Sequence, residues 1–597
     1  MRPLSSPLPP PPPLRIQFIP LARREFGPDW VVHDLGAMDA KCTFCHALLW
    51  LDERLSNSSR INPRFGLCCY QGKVKPPYLN PIPPELYTLL TRVDHVGKHF
   101  RDHIRRYNQA LAFTSVGRHV DDSLNHAGGG PYSFRLHGEL IHRAGGLLPP
   151  VGRPPVWAQL YILDSADALN HRMENQYNDG LDRHTMQTLQ DMLYRQHPGT
   201  ELYKHAFQIT RDMPSEQNAT IALRFDPHTD RRRYLPPDPR VQEIAILLPG
   251  EGDQPKDSQD IILHRNGGSL MRILDTHPLY LSLHYVLLHP TGQLGWHSFI
   301  PYEELENRQR GNKRKYMTLA EFHRFHLLPR PPHIESNHLF LSGKLFQEYV
   351  CETWAVSEQN RLNYARMNQK KLRVEVYQGL RDAVAADADV DLNELGKRFI
   401  LPSTFSGSTC NMQQHSQDAL AINRYFGGGD LFITMTANPG WPEITSALLP
   451  NQKAPDRPDL VVRVFQAKLK SLIKDIKQGV LGNSAAHLYT IEFQKRGLPH
   501  AHIIVFLKPH AKLRTPGDID QLMSSEFPTN NPELLELIKK FMVHTPCGAQ
   551  NPNSPCMVNG SCSKSFPKPF RPETIVTEDS YACTRRRNTG VNRDCHG

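Results

Sequence analysis

His500 and His502 stand two residues apart in the run Gly-Leu-Pro-His-Ala-His, which continues into Ile-Ile-Val-Phe-Leu. On an extended strand, side chains two apart project from one face. Both imidazoles can therefore reach a single ion while Ala501 turns into the packing. The preceding run His-Leu-Tyr-Thr-Ile-Glu-Phe, joined through Gln-Lys-Arg-Gly-Leu-Pro, reads as the partner strand of a hairpin. Glu492 on that strand offers a carboxylate, with Gln494 as the alternative oxygen ligand; Glu492 is preferred for its charge. Two nitrogen donors and one oxygen leave positions open for water and a phosphate oxygen. Alone, His-x-His on a strand is more often a chance packing pair, so its neighbours decide the reading.

The cysteines form a second kind of chemistry. Cys42-x2-Cys45 followed by Cys68-Cys69 supplies four thiols for a tetrahedral Zn²⁺ site, with His46 as reserve ligand. The adjacent pair asks two neighbouring residues to aim both sulfurs at one ion. His544-x2-Cys547-x8-Cys556-x5-Cys562 is a second Zn²⁺ set, in a stretch rich in Pro, Asn and Gly. Such a loop buries too little apolar surface to hold itself, so a metal is a reasonable organiser. The alternative in both places is free thiols. Clustering of the cysteines argues against a disulfide framework.

These groups need scaffolds, and a chain of 597 residues is long enough for several cores. The expected class is α/β (α+β) and multidomain. Residues 1–30 form a Pro-rich solvated arm, whose polyproline run suits a partner that reads PPII segments. Residues 31–80 form the first Cys module, and residues 81–302 a mixed α/β domain. Within that domain, residues 181–212 read as helical, and VWAQLYIL, TIALRFDP, EIAILLPG, IILH and HYVLL read as strands. Residues 303–397 form a charged linker and helical region, 398–515 the unit with the His pair, and 516–597 a helix with the second Cys/His module. With 70 basic against 60 acidic residues, the net charge of +10 suits a polyanion partner. No apolar run approaches a membrane span, so the nucleus or cytoplasm is expected rather than a membrane or secretion. No Gly-x4-Gly-Lys-Ser/Thr occurs, hence no argument for an ATP-driven motor in this chain.

The context of the His pair is specific. Upstream, Phe432-Ile-Thr-Met-Thr-Ala-Asn438-Pro439 is an apolar strand ending in a polar turn, followed by the basic helix RVFQAKLKSLIKDIKQG. That order resembles the HUH endonucleases of rolling-circle replication and the relaxases. FITMTANPGWPEI, RPDLVVRVFQAKLK, IEFQKRGLPHAHIIVFL and CGAQNPNSPCMVNGSCSKSFPKPF are similar to the Helitron branch in particular. LGAMDAKCTFCHALLWLDERLSNSS, FGLCCYQGKVKPP, NQALAFTS and FRLHGELIHR extend the resemblance to nearly everything after the proline arm. The resemblance implies a HUH-type antiparallel sheet flanked by helices at 398–515. It also implies single-stranded DNA as partner, and Asn438, Lys495 and Arg496 as DNA contacts.

In that family the two histidines and an acidic or amide partner hold Mg²⁺ or Mn²⁺ against the scissile phosphate, which implies one of these ions at His500 and His502. A tyrosine then attacks to give a 5′-phosphotyrosine link, for nicking and strand transfer. The family's nucleophilic tyrosines sit on a helix well past the His pair. Here Tyr581, in the turn-rich DSYACTRRRNTG, is the one tyrosine after His502, and it is not assigned as nucleophile. The chain is expected to stop before the family's tyrosine helix and helicase. The expected function is therefore a Helitron-derived protein binding single-stranded DNA with an incomplete nicking centre. The alternative is a non-catalytic remnant that binds DNA or zinc.

Overall fold

The computed structural model describes residues 33–120, 136–150, 152–211, 220–223, 244–247, 261–264, 271–274, 276–303, 314–368, 401–494, 497–544, 546–554, 556–577 and 582–588. The proline arm, Lys495, Arg496 and Tyr581 lie outside the described residues.

Two hydrophobic cores organise what is described. The first begins at the Cys module, a hairpin of β1 (Ala40–Lys41) and β2 (Leu48–Leu49). Helices α1 (Pro84–Thr91) and α2 (His95–Leu111) follow. In α2, Phe100, Ile104, Tyr107 and Leu111 repeat at helical spacing and are buried, and the Asp94 carboxylate caps the helix by accepting from Gly97 N–H at 3.0 Å. Strands β3 (Ser115–Val120) and β4 (Leu136–Ala144) come next, then α3 (Ser165–Glu174), α4 (Arg183–Gln196) and α5 (Pro198–Arg211). The expected helical stretch over 181–212 is thus two helices, broken where Pro198 cannot continue the ladder. Strands β5 (Thr220–Leu223), β6 (Ile244–Leu247) and β7 (Ile261–His264) form one small antiparallel sheet, ordered β6-β5-β7. Strand β8 (Met271–Ile273) joins the other as β3-β4-β8.

Two expected strands are not strands. Trp157–Tyr161 within VWAQLYIL is a 3-10 turn, held by Gln159. That side chain accepts from Val156 N–H at 3.0 Å and donates to Gly146 O at 2.8 Å, so it supplies locally what a ladder would have given. In HYVLL, the short helix α6 (Tyr280–His284) runs into a buried turn. There Asn108 donates to His284 O at 2.9 Å and accepts from Leu287 N–H at 3.2 Å, which lets Val286 and Leu287 be buried without a sheet partner. Helices α7 (Leu319–His326), α8 (His338–Leu341) and the long α9 (Gly343–Met367) close this core, which runs from Cys42 to Val356.

The second core lies beneath a sheet of three antiparallel strands. It is preceded by α10 (Thr409–Phe426), capped by Ser408 and ended by Gly427 in the left-handed region, φ 74°. Strand β9 (Leu431–Thr436) leads through α11 (Pro442–Thr445) to α12 (Pro458–Lys477). The hairpin of β10 (Ser484–Phe493) and β11 (Pro499–Leu507) completes the sheet in the order β10-β11-β9. On α12, Leu460, Val464, Phe465, Leu469, Ile473 and Ile476 form one buried stripe at three- and four-residue steps. It packs against Ala501, Ile503, Val505 and Leu507 on the inner side of β11. Helices α13 (Pro516–Leu522) and α14 (Pro532–Phe541) follow the sheet.

The two cores are joined through the Cys module. Leu35 and Trp50 are buried in the second core, although their neighbours in sequence belong to the first. Arg463 of α12 lies over the Trp50 ring at 4.8 Å and grips the Glu53 carboxylate with two bonds of 2.8 and 2.7 Å. Among the described residues, no helix is long and apolar enough to cross a membrane.

Candidate metal and nucleic-acid site

Strand β11 is central in its sheet, so its residues have neighbours on both sides. Thr436 and Glu492 flank His500 in register, and Thr434 and Thr490 flank His502. The period of two therefore places both imidazoles on the side facing away from α12, as the spacing predicts. Thr436 Oγ1 lies 3.3 Å from His500 Nδ1, and Thr434 Oγ1 lies 3.2 Å from His502 Nδ1. Each ring is thus oriented at its Nδ1 by a hydroxyl from β9.

The two histidines differ in surroundings. His500 is 8% exposed and its Nε2 is buried without a hydrogen bond. Burial, followed by the neighbouring imidazole of His502, holds His500 below the usual imidazole range, while Glu492 pulls the other way. A neutral ring oriented at Nδ1 leaves a lone pair at Nε2, the state a metal ligand needs. His502 is more open, and its Nε2 meets Glu492 Oε1 at 2.9 Å. Glu492 thus sits opposite His500 in register but bonds to His502, and the imidazole centroids are 6.4 Å apart. Gln494 stands in the turn beyond the paired residues, where its N–H donates to Leu498 O at 2.9 Å. Asn438 shapes the turn after β9, accepting from Gly440 N–H at 2.9 Å.

Sequence reasoning missed Phe432, Thr434 and Thr436. The alternation in Phe-Ile-Thr-Met-Thr was the available signal, because it puts these three on one face and Ile433 and Met435 on the other. Phe432 is 68% exposed and stacks on the His502 ring at 5.7 Å and 13°. The lysines expected to make α12 basic face elsewhere. Lys470, Lys474 and Lys477 line a groove with Tyr489, on the reverse side of the sheet from the His pair.

The cysteine sets are brought together as the spacing suggests. Cys42, Cys45, Cys68 and Cys69 are all buried, with their sulfurs within 4.8 Å of one another, and could hold a metal ion. Cys42 Sγ lies 3.6 Å from Cys69 Sγ, and Gly72 N–H points at Cys69 Sγ from 3.2 Å. The adjacent pair reaches one centre because the chain turns sharply after it, with Tyr70, Gln71 and Gly72 all at positive φ. His46, the reserve ligand, is exposed outside this centre. Mutual hydrogen bonding, led by Cys45, pushes the Cys42 thiol down, while Cys42 in the same network pushes Cys68 and Cys69 up. Such sharing of protons among four thiols is what a cation would replace.

The knuckle is anchored by a residue that sequence reasoning did not single out. Buried Arg330 donates to Cys45 O and Phe325 O at 2.9 Å each and pairs with Glu335 at 2.6 Å. In the second set, Cys562 Sγ lies 3.5 Å from His544 Nε2, and the His544 ring stacks on Phe566 at 4.1 Å. Backbone N–H groups, first that of Phe566, bring Cys562 down to about 6, and burial pushes Cys547 up to about 11. This set could also hold a metal ion.

No curated protein matches the chain. Residues 322–505, which run from within α7 through α9 and α12 into β11, match the family model described as the Helitron helicase-like domain at the N-terminus. The chain therefore carries a Helitron helicase-like N-terminal region.

Proposed function

We propose that this is a Helitron-related protein whose open sheet face binds single-stranded DNA and one divalent cation, Mg²⁺ or Mn²⁺, in a HUH-type unit spanning residues 398–515. The observation that carries this reading is His500 Nε2: a buried imidazole nitrogen without a hydrogen bond, beside a second imidazole and the Glu492 carboxylate. When bound, the cation would neutralise charge on a phosphate oxygen and so favour attack at phosphorus. The chain's own residues position and orient. Thr434 and Thr436 fix the ring planes, Glu492 supplies negative charge, and Phe432 offers an exposed aromatic surface on which a base can stack. Zn²⁺ is the ion proposed for the two thiol sets, since soft sulfur donors in fours select it. The nucleus is where such a protein would meet its DNA.

The place of Tyr489 excludes it as a nucleophile for this face. It pairs with Ile503 and so lies on the opposite face from the His pair. A nicking reaction would need the hydroxyl of another tyrosine brought to the face that carries His500 and His502. The test is Mn²⁺ binding by electron paramagnetic resonance, together with anisotropy of a labelled single-stranded oligonucleotide. His500→Ala with His502→Ala should abolish the cation-dependent part of DNA binding and leave the fold intact. Equal Mn²⁺ uptake and equal DNA affinity in this variant would remove the proposal.

A further inference from the structure

The first core contains a polar cluster that neither the His pair nor the cysteines account for. His142 on β4, His284 at the end of α6 and Glu352 on α9 converge in the interior, at 0%, 2% and 0% exposure. One ligand atom from each lies within 4.8 Å of the others. His142 Nε2 approaches Glu352 Oε1 to 2.5 Å, yet neither atom has a hydrogen bond, and nor does His142 Nδ1. A ring nitrogen and a carboxylate oxygen this close make an ion pair when no cation is bound, and both atoms are of the kind that ligates a divalent ion.

The surroundings hold the donors in position. The other Glu352 oxygen accepts from the Tyr285 hydroxyl. Tyr280 stacks flat on His142, with centroids 3.9 Å apart and planes 7° apart, which fixes the imidazole plane. The Tyr285 ring meets His284 edge-on at 4.8 Å. Glu348, one helical turn before Glu352, pairs with Arg105 and lies 4.0 Å from His284 Nε2. A second carboxylate thus flanks the imidazole pair, of the kind that supports ligands at metal centres.

We propose that His142, His284 and Glu352 bind a divalent transition-metal ion of the zinc type, which ties β4, α6 and α9 together as a structural centre. Two nitrogens and one oxygen supply three of the four donors that a tetrahedral zinc ion takes. Mg²⁺ and Ca²⁺ demand six or more oxygens, and thiolate-seeking ions find no sulfur in this cluster. Complete burial denies a substrate access, so the role is structural. The three ligands come from segments far apart in sequence, and an ion joining them closes long loops of chain.

The test is metal counting on the full chain, purified with zinc present. An organomercurial releases thiolate-bound zinc, and the remainder is measured by mass spectrometry. Roughly one mercurial-resistant equivalent per chain is expected. It should be lost in Glu352→Gln and in His142→Gln, and kept in His500→Ala with His502→Ala. Unchanged thiolate-bound zinc in the first two variants would show that they still fold. Cobalt loading of the wild-type chain needs no substitution: after the mercurial, visible absorption from a cobalt ion with only nitrogen and oxygen donors should persist. Absence of resistant metal in the wild type, or the same amount in Glu352→Gln, would overturn the proposal and leave a buried His–Glu pair.

Discussion

Histidine does different work in the two cores. In the first, His197, His277, His289, His323 and His338 are buried. His197 uses both ring nitrogens on the main chain, accepting from Gly199 N–H at 3.0 Å and donating to Ser282 O at 3.1 Å. His338 likewise donates to Leu288 O at 2.7 Å. His197 and His338 are thus polar struts, while His277 Nε2, His289 Nε2 and His323 Nδ1 are buried without a hydrogen bond among the described residues. In the second core His500 and His502 line a sheet face whose far side carries the packing, so their nitrogens are turned away from the apolar stripe. Histidine content therefore says little about chemistry until the strand or helix face is known.

Acid should separate the two cores most strongly. Burial brings His197, His277 and His338 down to about 4, and His289 and His323 to about 3. An unfolded histidine takes its proton near pH 6.5. As pH falls from there towards 4, the unfolded chain binds protons that the folded core refuses, so stability is lost through that window and the loss levels off below the folded values. Each such group contributes up to about 1.4 kcal/mol per pH unit. Circular dichroism should show the first core unfolding cooperatively in mild acid; a flat profile from pH 7 to 4.5 would contradict the assignment of neutral buried rings.

Arg330→Ala comes next in size. It would strand Glu335 and the Cys45 carbonyl in the interior, at a cost of about 3–5 kcal/mol. The denaturation midpoint should fall accordingly, and a shift below about 1 kcal/mol would show that the knuckle is anchored otherwise. In the second core, effects should move from stability to binding. Phe432→Ala should weaken single-stranded DNA binding by about 1–3 kcal/mol, the worth of one stacked base, with little change in melting. Smallest is Thr436→Val, which leaves His500 without its orienting hydroxyl. Cation affinity should fall about tenfold at unchanged fold, and calorimetry with Mn²⁺ reads the result. If Thr436→Val instead lowers stability and spares the cation, His500 belongs with the struts.

Much of the second core was legible in the sequence because its patterns are local. A two-residue period fixes the face of His500 and His502, and the three- and four-residue steps of α12 fix its buried stripe. The thiol sets were legible because knuckle spacing is also local. What could not be read were the relations across long separations. Nothing in FRLHGELIHR announces that His142 meets Glu352. The HYVLL run has strand composition, yet it folds as a turn because Asn108, far upstream, satisfies its backbone. Glu492 was placed on the right strand, but its carboxylate settles on His502, a choice of rotamer that no spacing encodes.

The seating of Leu35 and Trp50 against α12 has a practical consequence for dissection of this chain. A recombinant piece cut at residue 398 would carry the sheet and its helix but lack these two apolar side chains and the Glu53 partner of Arg463. The stripe beneath the His pair would be partly stripped, inviting self-association in place of a well-behaved monomer. Supplying residues 33–80 as a separate polypeptide should restore solubility, which makes the knuckle a complementing piece for a sheet that begins nearly four hundred residues later.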